Sequence, residues 1–240
     1  MVAQRVPDFV DPPPQRGIGM IVPLDFCLDR ELWRWVPEGV SLHVTRLPIA
    51  SRRIDIRTAK ALADAIAVEQ ATRDLLTPRP EVVAYTCAAG SFVDGAAGDG
   101  ALRRAMLAAG APAVCTTSGA LIDELRLLGV SRLALVTPYG GPLTGRLVGF
   151  LAEHQVQTVT ITRLTRATER LRVHDHAEAV FVCCTNVPTY DLLGPLAQTL
   201  GKPVLTANEV LMHAMLRALG SPAVDRITRA VARFPGGSQG

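Results

Sequence analysis

The sequence predicts a parallel α/β protein built from two similar halves. Three observations carry this reading: apolar strand-like runs alternate with helix-like stretches, the runs are near-continuous, and strand-end segments recur in the same order in the second half. A strand covered by helices on both faces needs apolar side chains in both directions, which Leu133-Ala-Leu-Val136 supplies. With 240 residues and 48% hydrophobic content, the chain has ample material for a core, as one large domain or two small ones.

Strands are expected at 17–22, 41–47, 81–86, 112–115, 132–137, 156–161, 178–183 and 203–205, where apolar and β-branched residues cluster. Helices are expected at 55–76, 101–109, 119–128, 143–154, 190–200, 207–219 and 224–233, several stopped by Gly110, Gly129, Gly201 or Gly220. Ile18-Gly-Met-Ile-Val-Pro23 resembles Leu133-Ala-Leu-Val-Thr-Pro138, each a strand ended by a proline that lacks the ladder donor. Glu81-Val-Val-Ala-Tyr-Thr-Cys87 resembles Glu178-Ala-Val-Phe-Val-Cys-Cys184, and Gly110-Ala-Pro-Ala-Val114 resembles Gly201-Lys-Pro-Val-Leu205. The expected organisation is a first half of 17–116 plus 207–234, a second half of 117–206, and flexible tails at 1–16 and 235–240.

A net charge of +3 from 25 basic and 22 acidic residues, with no run of five or six like charges, predicts no nucleic-acid partner. The first residues lack the apolar core of a signal peptide and no stretch reaches membrane-spanning length, so a cytoplasmic protein without a membrane partner is expected. The irregular spacing of Cys27, Cys87, Cys115, Cys183 and Cys184 fits free thiols in a reducing compartment. No cofactor is expected: Gly17-Ile-Gly19 lacks the third glycine of a dinucleotide loop and begins a strand, and neither a Walker sequence nor HExxH is present. No metal is expected either, because the adjacent cysteines have no CxxC or neighbouring histidine to complete a ligand set. A homo-oligomer is anticipated.

Ligands of parallel sheets bind beyond the carboxyl ends of the strands. Cys87 stands there, before Ala88-Ala-Gly90-Ser91, whose small residues admit a ligand and whose N–H groups would lower the thiol's pKa towards neutrality. Cys184 stands at the equivalent end, followed by Thr185 and Asn186, which can donate to a carboxylate. Strand alternation turns Cys183 the other way. Pro23, Thr117 and Ser118 belong to the wall of Cys87, and Tyr139 to that of Cys184, with its phenol available to a substrate oxygen.

In order along the chain, Gly19-Met-Ile-Val-Pro23, Tyr85-Thr-Cys87 through Ser91, Thr116-Thr-Ser-Gly-Ala120, Val136-Thr-Pro-Tyr139, Cys184-Thr-Asn186 and Lys202-Pro-Val-Leu-Thr-Ala-Asn208 resemble the aspartate/glutamate racemase superfamily. Within it they are most similar to the maleate cis-trans isomerase and arylmalonate decarboxylase branch. The resemblance implies two Rossmann-like (flavodoxin-like) half-domains around a cleft, a small carboxylic acid as substrate, and chemistry without a cofactor. It implies an isomerase or racemase with Cys87 as nucleophile, Cys184 as acid/base partner and Tyr139 as donor to a substrate oxygen; Pro23, Gly90, Ser91, Thr117, Ser118, Thr185 and Asn186 are the other residues expected around the substrate. A decarboxylase of the arylmalonate type would use Cys184 alone, and a silent metabolite-binding protein would use neither thiol. The chain departs from the isomerase pattern in three places: Ala88-Ala89 replace Thr-Ser after the first cysteine, Leu24-Asp25-Phe26 replaces a loop whose asparagine binds a carboxylate and so is expected to weaken binding of a dicarboxylate at that end, and Thr162 to His176 is short for the usual substrate-covering segment.

Overall fold

The computed structural model describes residues 15–48, 54–165, 171 and 173–221. The tails and the helix expected at 224–233 lie outside the described residues. Chain order is β1 (Arg16–Pro23), α1 (Asp29–Trp35), β2 (Val40–Leu47), α2 (Ile56–Leu62), α3 (Ala65–Leu75), β3 (Val82–Tyr85), α4 (Ala88–Phe92), α5 (Gly95–Ala108), β4 (Val114–Thr116), α6 (Thr117–Leu128), β5 (Arg132–Thr137), α7 (Gly141–Glu153), β6 (Gln157–Arg163), β7 (Ala179–Val182), α8 (Leu193–Leu200), β8 (Val204–Thr206) and α9 (Ala207–Ala218).

Two four-stranded parallel sheets result, ordered β2-β1-β3-β4 and β6-β5-β7-β8. The orders are identical once β1 to β4 are matched with β5 to β8, so the repeat in the sequence is a repeat of architecture. All eight expected strands are present. The central strands β3 and β7 are buried along their whole length, which explains their unbroken apolar runs.

The matching extends to the helices. Thr116 caps α6 by accepting from Gly119 N at 3.1 Å, and Thr206 caps α9 by accepting from Glu209 N at 3.2 Å. These two helices pack on each other, and Arg217 of α9 donates to the buried Glu124 of α6 at 2.7 Å. A single core continues across both halves, from Ile18, Tyr85 and Phe92 to Leu135, Phe150 and Met212. A smaller cluster under α8 covers the other face of the second sheet through Ala134, Val136, Val180, Val182 and Val204.

Several helices differ from expectation, the short α4 among them, which had no expected counterpart. The stretch 55–76 is two helices, because the side chain of Asp64 accepts from Ile66 N at 2.8 Å and starts α3 afresh. Helix α5 begins at Gly95, six residues before the expected start; Glu153 reaches across from α7 to accept from Ala96 N at 2.6 Å and compensates for a glycine-rich first turn. Helix α1 had no expected counterpart.

Candidate active site

Cys87 lies two residues beyond β3, as the N-cap of α4 with ordinary extended backbone (φ −144°). Its Sγ accepts from Gly90 N at 3.5 Å and its carbonyl accepts from Ser91 N at 3.1 Å. Only glycine fits at position 90, since a methyl there would collide with Tyr85 Oη. Tyr85 Oη lies 2.8 Å from Leu62 O and also within reach of the Cys87 sulfur, so its one proton serves the carbonyl or, when the thiolate forms, the sulfur.

The expectation of a thiol near neutrality is corrected by this environment. Burial is the largest influence and pushes Cys87 up to about 12; the Gly90 N–H and the Tyr85 phenol pull it down, while charge at Cys184 and Asp25 pushes it further up. Donors alone do not lower a pKa when the sulfur is 4% exposed.

Cys184 lies two residues beyond β7. Cys183 continues the ladder by donating its N–H to Val136 O at 2.8 Å and is wholly buried. Cys184 then departs from the strand with φ +99°, a region that residues with a side chain seldom occupy, and remains half-buried. Burial raises this thiol as well; the Asn186 N–H and the Tyr139 phenol pull it down, and charges at Asp25 and Cys27 add to the rise. Tyr139, 3% exposed and packed against Phe92, reaches both Cys183 and Cys184. The two expected catalytic thiols therefore share one electrostatic environment, with a tyrosine beside each.

The remaining sequence-predicted residues divide into two groups. Pro23 is buried at the end of β1, where its carbonyl accepts from Phe26 N at 3.0 Å. Ser91 and Ser118 share a 2.6 Å hydrogen bond, and Ser91 Oγ also contacts Ala88 O at 2.9 Å and Ser118 N at 3.1 Å. Thr117 donates its hydroxyl to Tyr85 O at 3.0 Å. These three hydroxyls, expected to meet a substrate, link α4, α6 and β3 to one another. Thr185 is buried and its carbonyl accepts from Asn208 Nδ2 at 3.2 Å.

Asn186 has a task that its sequence position did not disclose. Its Oδ1 accepts from Cys27 N at 3.1 Å and its Nδ2 donates to Asp25 O at 3.2 Å, so its amide joins the loop after β1 to the turn after β7. Helix α1 continues that junction. The Glu31 carboxylate accepts from Thr189 N at 3.0 Å, Thr189 Oγ1 at 3.2 Å and Asn208 Nδ2 at 3.2 Å. Arg34 pairs with Asp191 at 2.6 Å and lies 3.8 Å over the Tyr190 ring, against which Trp35 also packs. Sequence reading marked Asp25 only as a departure from the isomerase loop and did not assign Cys27, Glu31 or Tyr85 to the site. The signal for α1 was nevertheless present: acidic Asp29 and Glu31 in a first turn, Arg34 in the last, and Leu32 and Trp35 three apart.

Among the described residues no group of three or more His, Cys, Asp or Glu side chains is placed to hold a metal, and no helix is long and apolar enough to cross a membrane.

Comparison with known proteins places this geometry among relatives. A family model described as arylmalonate decarboxylase matches residues 49–167. The maleate isomerase of Nocardia farcinica is 26% identical over 234 residues, covering 86% of this chain and 91% of that protein. The arylmalonate decarboxylase of Bordetella bronchiseptica is 32% identical over 158 residues, covering 57% of this chain and 64% of that protein. A solved structure of the Nocardia farcinica maleate cis-trans isomerase, a cysteine-to-serine variant with a covalently bound succinylcysteine intermediate, superposes with a TM-score of 0.71 at 25% identity, covering 86% of this chain and 94% of that one. Family model, sequence and fold agree that the chain is similar to the arylmalonate decarboxylases and the maleate isomerases.

Proposed function

We propose that this protein is a cofactor-independent isomerase of a small unsaturated carboxylic acid, working by the thiol chemistry of a maleate cis-trans isomerase. The observation that carries the reading is the placement of Cys87 and Cys184 two residues beyond equivalent strands, with Cys184 near enough to influence the ionisation of Cys87. The succinylcysteine adduct of the Nocardia farcinica enzyme supports addition of a thiol to a double bond.

In this mechanism the Cys87 thiolate adds to one alkene carbon and Cys184 gives its proton to the neighbouring carbon. Rotation about the new single bond follows. Return of that proton to Cys184 and loss of the Cys87 sulfur then restore the double bond in the trans form. The raised pKa of Cys184 suits a thiol that must hold a proton until the carbon needs it. The Gly90 N–H and Tyr85 phenol, which favour the Cys87 thiolate, support its role as nucleophile. Tyr139 is the donor for a substrate oxygen in this reading. Free thiols at all five cysteines support a reducing, cytoplasmic setting.

The test is turnover of cis-butenedioic acid and its monoamide, with mass spectrometry of the protein after quenching. A substrate adduct on Cys87 that accumulates in the Cys184→Ala variant is the expected result; an unmodified protein with every substrate would sink the reading. The local match to an arylmalonate decarboxylase favours one alternative, decarboxylation with Cys184 as the proton donor. It predicts that activity towards an arylmalonate survives Cys87→Ala.

A further inference from the structure

The loop between β1 and α1 holds a charge that the proposed chemistry leaves unused. Its backbone is gripped from three directions. Phe26 N donates to Pro23 O at 3.0 Å, Arg46 Nη1 donates to Phe26 O at 2.6 Å, and Asn186 holds Asp25 O at 3.2 Å and Cys27 N at 3.1 Å. The Asp25 side chain projects from this rigid turn and is exposed. Among the described residues it has no hydrogen bond or ion pair. Two arginines of the region are already neutralised, Arg46 by Asp29 at 3.1 Å and Arg34 by Asp191 at 2.6 Å.

Asn186 is two residues from Cys184, so the grip that fixes the loop also fixes Asp25 beside the cleft. Its charge is felt by both sulfurs, raising the Cys87 and the Cys184 thiols alike. A ligand lying between the two thiols meets that same negative field, and no guanidinium or ammonium group counters it among the influences on either sulfur. A dicarboxylate would bring one carboxylate towards the donors of the Cys184 turn and the other towards a like charge, a juxtaposition that strongly disfavours binding. An N–H group at that second end would give the carboxylate a charge-assisted hydrogen bond.

We propose that Asp25 determines specificity, selecting a monocarboxylate whose other end presents an N–H donor, amide or ammonium, and rejecting dicarboxylates. The assignment rests on the proposed cleft between Cys87 and Cys184, and concerns which acid enters rather than what happens to it. It does not depend on turnover.

The experiment is calorimetric titration of the full-length protein with two saturated, unreactive probes, succinate and its monoamide succinamate. The wild type is expected to bind succinamate at least about tenfold more tightly than succinate, one decade of affinity being a modest demand on a charge reversal near a partly buried site. Asp25→Asn should bring the two probes to parity or invert the preference, and Asp25→Ala should abolish the preference by weakening succinamate and relieving the repulsion on succinate. Thermal melting confirms that each variant is folded, as a partnerless exposed side chain predicts. Equal affinities in the wild type, a preference that survives both substitutions, or no binding of succinamate at millimolar concentration would each overturn the assignment. If the binding preference switches as expected while no variant or wild type turns over any butenoic acid, the isomerase reading fails and the specificity assignment stands. Efficient isomerisation of cis-butenedioic acid, indifferent to Asp25, would instead uphold the isomerase reading and overturn the specificity assignment.

Discussion

Cys87 and Cys184 occupy the same place in two copies of one architecture, yet the chain holds them by different means. Cys87 has relaxed backbone geometry, begins a helix, and is surrounded by Gly90, Tyr85 and the Ser91–Ser118 pair. Cys184 has a strained backbone, begins no helix directly, and is followed by a turn whose Asn186 and Thr189 are fastened to the opposite half through Cys27 and Glu31. One thiol is built into a core, and the other is positioned by a clasp across the cleft. Duplication supplied two equivalent positions, and the contacts around them made the positions unequal.

The largest effect expected from this inequality is on catalysis. Either Cys87→Ala or Cys184→Ala should lower kcat by at least about a thousandfold, within the range attributed to loss of a general acid or a nucleophile. The two losses should differ in kind. Cys184→Ala retains the reactive Cys87 and should accumulate adduct in a single-turnover experiment, whereas Cys87→Ala should show none. Adduct formation in both variants would remove the proposed distinction between nucleophile and acid.

The pH dependence tests how Cys87 is kept. With its thiol pushed up to about 12, the thiolate is the minor form throughout the neutral range, and its fraction grows as pH rises. The logarithm of kcat/KM should therefore climb with a slope near one between about pH 6 and 9, without a plateau. Tyr85→Phe removes a donor that favours the thiolate, so kcat/KM at neutral pH should fall about tenfold while the slope is kept and KM changes little. A profile already flat at neutral pH would show that substrate binding, and not the resting environment, sets the ionisation.

Much of this arrangement was legible in the sequence, and the missing parts share a cause. Buried parallel strands require unbroken apolar runs, so all eight could be located, and the recurring strand ends exposed the duplication and with it both cysteines. Hydroxyl direction is not written in a residue type: Ser91, Thr117 and Ser118 have the chemistry of substrate donors, but their partners are Ala88, Tyr85 and each other. The clasp was harder still, since Asn186 and Cys27 are 159 residues apart and neither belongs to a recurring motif. Its strongest local clue, the charge pattern of α1, spans a helix of only seven residues. Cys184's positive φ had no signal at all, because no glycine or asparagine marks it.

Breaking the clasp should cost stability as well as activity. Glu31→Ala leaves Thr189 N, Thr189 Oγ1 and Asn208 Nδ2 without their acceptor, a loss of about 2 to 3 kcal/mol by denaturant unfolding. It should also reduce kcat/KM, since the Cys184 turn is no longer drawn against α1. The exposed pair beside it is the control: Arg34→Ala should leave the denaturation midpoint unchanged, although Arg34 and Asp191 make two short hydrogen bonds. Equal destabilisation by the two substitutions would mean that the clasp is a general surface contact and not a device centred on Glu31.

The smallest effect isolates the backbone of Cys184 from its sulfur. A side chain at φ +99° is strained, whereas glycine is at ease there, so Cys184→Gly should be more stable than Cys184→Ala by about 1 kcal/mol. At position 87, with φ −144°, the order should reverse: Cys87→Gly gains no strain relief and adds freedom to the unfolded chain, making it less stable than Cys87→Ala by roughly 0.5 to 1 kcal/mol. All four variants lack the thiol, so the comparison within each pair cancels the loss of sulfur and leaves the conformational term. Opposite signs at the two positions would establish that the second thiol is held in the cleft at a cost in backbone energy that the first does not carry. Matching signs would return both cysteines to the symmetry of the duplication.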